Sequence, residues 1–143
     1  MSRIQIILPE NFQFSTLLPV RITDINYGNH LGNDKVLSYV HEARLQFLNS
    51  IGYSELNTGN GGLIMSSAAI QFKEEVFYGD ILRISVTAGS FSASGFNLYY
   101  LLENDKTGKT VALAQTGMVC YNYDMKKIVR MDEKFRQALE NKI

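Results

Sequence analysis

One amphipathic run sits near the start of this chain, and almost everything after it alternates with a period of two. Residues 34–51, DKVLSYVHEARLQFLNSI, place Val36, Val40, Ala43 and Phe47 on one helical stripe, which Leu37, Leu48 and Ile51 widen. Eighteen helical residues reach about 27 Å. Asn33 or Asp34 is expected to cap this helix and Gly52 to end it. Residues 63–72 are apolar or small on both faces and predict a central strand. Residues 81–88 alternate cleanly, with Leu82, Ile84, Val86 and Ala88 on one face, and residues 96–103 do the same. Tyr78-Gly79-Asp80 reads as a turn, with Gly79 free to take a positive φ. The turn NDKTGK at 104–109 leads to a long strand over 110–123, a short one near 127–129 and a final amphipathic helix from Asp132. Upstream, residues 12–22 predict a first strand, and Pro19 marks it as an edge or a bend.

Strands following a single helix define an α+β class with an antiparallel sheet. The expected architecture is one domain over residues 1–143, a long central helix wrapped by a curled sheet of five to six strands. One helix covers one face only, so the edges and the other face call for a second subunit.

The 143 residues are 45% hydrophobic, and 14 basic side chains balance 14 acidic ones. That balance gives no overall attraction to nucleic acid or to an anionic membrane. The single cysteine, Cys120, forms no intrachain disulfide and is read as buried and inert. The apolar run between Arg3 and Pro9 is too short for a signal core or a membrane span. The expected setting is soluble and cytoplasmic.

The densest polar stretch, DINYGNHLGND at 24–34, lies just before the helix. Small residues there let backbone amides approach a ligand, and a helix start offers unpaired N–H groups and a positive dipole end. His30, His41, Asp24, Asp34 and Glu42 follow no metal-ligand spacing, so no metal is expected.

Three segments carry a resemblance. VRITDINYGNHLGN is similar to the pattern R-x-x-D-x-D-x-x-G-H-V-N-N. VLSYVHEARLQFLNSIG is similar to a helix that reads Y-x-x-x-x-E-x-A-R-x-x-F-L-x-x-x-G. VFYGDILRISV is similar to Y-G-D-x-L-x-V. In this order they resemble the hotdog-fold thioesterases, in particular the 4-hydroxybenzoyl-CoA thioesterase-like family, over roughly residues 14–139. The resemblance implies hydrolysis of acyl-CoA or acyl-carrier-protein thioesters by a homodimer or homotetramer with its site between subunits. It implies no cofactor, coenzyme A entering only as part of the substrate. It also implies an oxyanion hole at the loop and helix start, with Asn33 as the best donor and Gly28, Tyr27 and Asp34 around it.

One departure is chemical. Aligned on His30, the family's second aspartate, its nucleophile or general base, falls on Asn26. A carboxamide takes up no proton from water at neutral pH. Asn26 is then expected to position water or carbonyl, with Glu42 of the same or the facing subunit as base, and Asp24 second. His30 is expected to orient the water or pin the loop. The bland readings are a Glu42 paired with Arg44 or another basic group, a turn or capping aspartate at 24 and a structural His41. Lys73, Lys106 and Lys109 are candidates for CoA phosphates, and Tyr27, Met65 and Phe72 for an acyl pocket. Two alternatives stand beside hydrolysis: a catalytically silent acyl-CoA or acyl-carrier-protein binding dimer, favoured by the missing aspartate, and a hotdog enoyl-CoA hydratase or dehydratase.

Overall fold

In the computed structural model, which describes residues 3–141, helix α1 spans Asn33–Ser50 and α2 spans Glu133–Glu140. The strands are β1 Phe14–Pro19, β2 Gly62–Phe72, β3 Ile81–Gly89, β4 Gly95–Asn104, β5 Thr110–Asn122 and β6 Lys127–Ile128. They form one antiparallel sheet in the order β1-β3-β4-β5-β2, with β6 paired to the end of β5. This is the α+β hotdog arrangement, a curled, open sheet around a long helix.

The alternating strands explain the layering. Ile84 lies opposite Leu102 and Val86 opposite Tyr100, all fully buried on the face that receives α1. Val36, Val40, Ala43 and Phe47 of α1 are buried against that face. Each such large side chain contributes about 1.5–3 kcal/mol by leaving water. At the other end of the core Phe135 of α2 packs edge-on to Tyr53 and Phe96, at ring separations of 4.8 and 5.9 Å. Asp132 caps α2 by accepting from the Phe135 N–H at 3.2 Å. Gln13 ties distant segments together. Its Nε2 donates to the carbonyls of Leu139 (2.6 Å) and Asn141 (2.8 Å), while its Oε1 accepts from Ala88 N–H at 2.9 Å.

Three expectations need correction. Strand β1 is shorter than 12–22, because the chain after Pro19 turns into a 3-10 turn, Ile22–Asp24. Strand β2 is not central but the outer strand of the chain's sheet. Ser66, Ser67 and Ala68 are exposed at its middle, where a register shift falls between Met65 and Ser67. Small side chains on both faces mimic burial on both faces, but they also leave an edge that another strand can approach. The residue capping α1 is Gly32, not Asn33 or Asp34. Backbone bonds fix the chain there: Gly32 N–H donates to Asp24 O at 3.0 Å and Leu31 N–H to Val76 O at 2.8 Å. The turn at Gly79 (φ +98°) and the stop at Gly52 (φ +86°) fall where the sequence put them.

Candidate active site

The loop between the 3-10 turn and α1 is closed on itself. Ile25 bridges Leu31, Asn26 N–H donates to His30 O at 2.9 Å, and Asn29 N–H donates to Asn26 O at 3.0 Å. The Asn26 side chain organises the inside of the turn: its Oδ1 accepts from Gly28 N–H at 2.9 Å and from His30 N–H at 3.4 Å. Asn29 adopts φ +66°, a left-handed conformation that asparagine tolerates better than most residues. Short polar side chains here replace backbone partners that a loop cannot otherwise find.

This closure delivers His30 and the start of α1 to one place. His30 Nδ1 donates to Leu31 O at 3.0 Å. Nε2 stands 3.7 Å from Glu75 Oε1. His30 and Asn33 line a cavity of about 370 Å³ with Val36, Phe72, Lys73 and Val76. Helix geometry leaves the N–H groups of Asn33 and Asp34 without intrahelical acceptors at its rim. A Cβ at Gly32 would lie 2.5 Å from Asp34 Oδ1, so the Asp34 side chain on the first turn would have to move to admit one. Tyr27, Gly28 and Asp34 are exposed, and none of them is among the residues that line this cavity.

Asp24 and Glu42 lie elsewhere. They line a second cavity of about 290 Å³ with Ser38, Tyr39 and Arg21 on the β1 flank of α1. Asp24 Oδ2 accepts from Tyr39 Oη–H at 2.6 Å, and Tyr39 Oη accepts from Arg21 N–H at 2.9 Å. Burial, and then the bond to Asp24, hold the Tyr39 hydroxyl above its ordinary pKa, so it remains a donor at neutral pH. Glu42 is exposed and accepts from Gln46 Nε2 at 2.8 Å. It stands nine residues along α1 from Asn33, a rise of about 13 Å and two and a half turns. Asp24 and Glu42 therefore share a flank with each other and not with His30 and Asn33.

Arg44 does not pair with Glu42. It is buried, and its Nε donates to Glu55 Oε2 at 2.8 Å while Nη1 donates to Tyr100 Oη at 3.2 Å. Tyr100 Oη continues to Thr116 Oγ1 at 2.8 Å, and Glu55 Oε1 also meets His41 Nε2 at 2.9 Å. Burial works to raise the Glu55 pKa, but the bonds from His41 and Arg44 outweigh it and hold the carboxyl below its ordinary range. Reading the sequence missed Glu55. The available signal was Arg44 itself, an arginine on the apolar stripe between Val40 and Phe47, which a buried helix face tolerates only with an acid against it.

Among the remaining candidates, Lys73 borders the His30 cavity, and Lys109 lines an adjoining hollow with Glu74, Glu75 and Asp80. Met65 and Phe72 are exposed rather than packed in the core. Cys120 is fully buried, and burial pushes its thiol up to about 11. Among the described residues no three His, Cys, Asp or Glu side chains gather as a metal site, and no helix is long and apolar enough to cross a membrane.

The model of the Thioesterase-like superfamily matches residues 20–139. The chain belongs to that superfamily. The thioesterase-like chain is 34% identical over 88 residues to the 1,4-dihydroxy-2-naphthoyl-CoA hydrolase of Thermosynechococcus vestitus, a match that takes in 59% of this chain. The chain spans about 60% of the length of that curated relative. The crystal structure of a 1,4-dihydroxy-2-naphthoyl-CoA thioesterase from Synechocystis superposes with a TM-score of 0.81 at 25% identity, over 88% of this chain and 94% of the other. A Thermus thermophilus thioesterase complexed with coenzyme A and zinc shares the fold, with a TM-score of 0.79 at 19% identity over 92% and 94% of the two chains.

Proposed function

We propose that this thioesterase-like protein hydrolyses an acyl-CoA thioester in the cavity between the Asn26–Asn33 loop and the outer end of β2. The observation that carries this reading is the helix start: unpaired N–H groups of Asn33 and Asp34 at the rim of a cavity walled by Val36, Phe72 and Val76. An acyl group would lie on the apolar wall with its carbonyl oxygen at those amides, where the helix dipole and N–H donors favour the negative charge that develops when water attacks. Lys73 at the cavity edge would meet a phosphate of the coenzyme. The names of the cyanobacterial relatives make an aromatic acyl group of the 1,4-dihydroxy-2-naphthoyl kind the first substrate to try.

The site is completed by a second copy of the chain. Strand β2 is eleven residues long and outermost in the sheet, while the opposite edge, β1, is six residues and ends in Pro19. A long edge with exposed small side chains suits antiparallel pairing with its own copy, the usual closed two-fold solution. Light scattering at micromolar concentration is expected to give a dimer or a dimer of dimers. A monomer would count against the shared site.

A second reading, a silent acyl-CoA binding dimer, is favoured by Asn26, which puts an amide where the family pattern has its base. Release of free thiol from a panel of acyl-CoA and acyl-carrier-protein thioesters separates the two. Turnover above background supports hydrolysis; saturable binding without thiol release supports the silent site.

A further inference from the structure

Hydrolysis in the loop cavity needs a proton acceptor, and none of the carboxylates nearest in sequence supplies one. Asn26 is an amide, Asp24 is bound to Tyr39, and Glu42 sits on the other flank of α1. Glu74 and Glu75 line the cavity itself, but both side chains are exposed, and Glu75 stands 3.7 Å from His30. The structure holds a better-built pair on the flank of α1 that faces β2. His41 Nε2 lies 2.9 Å from Glu55, and Glu55 is fixed from behind by Arg44 at 2.8 Å. The imidazole is 49% exposed while the arginine is 5% exposed, so a buried cation anchors the acid that orients an accessible ring. With Nε2–H committed to Glu55, Nδ1 carries the free lone pair. A histidine with one nitrogen held by a carboxylate and the other open is the usual form of a general base.

Its place in the fold sends it to the other chain. Leu63 N–H donates to the Glu55 carbonyl at 2.7 Å, and Arg44 Nη1 lies 4.0 Å from Met65 Sδ, so the pair sits by the N-terminal half of β2. The loop cavity sits by its C-terminal end, at Phe72 and Lys73. Antiparallel pairing of two β2 strands about an axis near Ala68 lays the first half of one along the last half of the other. Both features are on the helix side of the sheet, since Ile70 packs into the core and Phe72 shares its face. We infer that His41, oriented by Glu55, is the general base for thioester hydrolysis in the loop cavity of the opposite chain. The inference rests on the proposed hydrolysis. His41 Nδ1 takes a proton from water as the water oxygen bonds to the thioester carbon. The oxyanion rests at the Asn33 and Asp34 amides. The carbon–sulfur bond then breaks, and the imidazolium returns the proton to the leaving thiolate, giving the free acid and the thiol.

The test uses the full-length protein with an acyl-CoA that it turns over. His41→Gln removes a half-exposed ring and is expected to fold. It should lower kcat on the order of a hundredfold, with KM nearly unchanged, and should abolish the fall in rate on the acid side of the pH profile. Mixing His41→Gln chains with Gly28→Val chains, each inactive alone, should restore about a quarter of wild-type activity after subunit exchange. Half of the dimers are then mixed, and one of two sites in each is intact. Wild-type turnover with a His41→Gln enzyme that keeps its kcat and its acid limb overturns the inference while leaving hydrolysis standing. Inactive single variants that stay inactive when shown to form mixed dimers overturn the assignment across the interface. A loss confined to Glu42→Gln or His30→Gln places the base in one of those residues instead. No thiol release by the wild type on any thioester removes the reaction itself, and with it the base.

Discussion

Replacing Glu55 by glutamine should be costly in a way that depends on pH. The substitution keeps size and one acceptor but removes the charge that faces Arg44, whose side chain is 5% exposed. Hydrogen bonds to a charged group contribute about 1.5–3 kcal/mol and neutral ones about 0.5–1.5. The exposed His41 contact adds little. The loss is then about 2–3 kcal/mol, mostly from leaving a buried guanidinium with Tyr100 and a neutral amide. For a domain of this size that is a Tm drop of about 6–12 °C. Arg44→Met should cost less, because it removes the buried charge, leaves Glu55 partly exposed to water and keeps Tyr100 bonded to Thr116. The double variant should resemble Arg44→Met alone. The sign of the pH effect follows from Glu55, whose pKa is lower folded than unfolded. Its stabilisation is complete above the unfolded value, about 4.3, and fades as pH falls through the lower folded one. Thermal melts of wild type and Glu55→Gln at neutral pH and in steps below pH 4 read this directly. A gap that is small at neutral pH, or that stays constant into acid, would refute the argument.

Asn26→Asp keeps both acceptor contacts to Gly28 and His30, so the loop should fold, but it adds a negative charge beside the developing oxyanion. Thiol release should fall roughly tenfold to a hundredfold; a clear rise would mean that the restored carboxylate is the base the pocket lacked. Gly28→Val should abolish turnover with a near-native circular dichroism spectrum, because even a Cβ there would stand 3.3 Å from Asn26 Oδ1 and from the His30 ring. Cys120 should resist thiol reagents at neutral pH until the protein is unfolded, since it is buried and its thiol is pushed up to about 11; rapid labelling of the native protein would contradict the burial.

The parts of the fold legible from sequence are those where side chains alternate against a single buried face. β3 and β4 read correctly because most inward residues are large and apolar and most outward ones polar, with Ala88, Ile81 and Leu101 the exceptions. β2 did not, because a strand of small residues carries no record of which edge is free. The loop was legible as an amide-rich approach to a helix, while its internal wiring through Asn26 Oδ1 depends on a turn geometry that residue types alone leave open. Glu42 was singled out by its spacing along the helix; nine residues on from Asn33 the helix has turned through two and a half revolutions, so within one chain the two lie on opposite flanks. Arg44 and Glu55 are eleven residues apart, across the end of α1 and the following turn, so their pairing needed the path of the backbone.

Gln13 has a consequence for how the molecule opens. Its one side chain holds the carbonyl end of α2 and the far part of β3 at once, joining segments 126 residues apart. Local unfolding of the last helix removes the two Nε2 bonds of Gln13, while its bonds to Val86, Thr87 and Ala88 keep it on the sheet. The end of α2 is thus held by a side chain from the segment just before β1, and its amides should exchange with solvent faster than those of β1 once that side chain is removed.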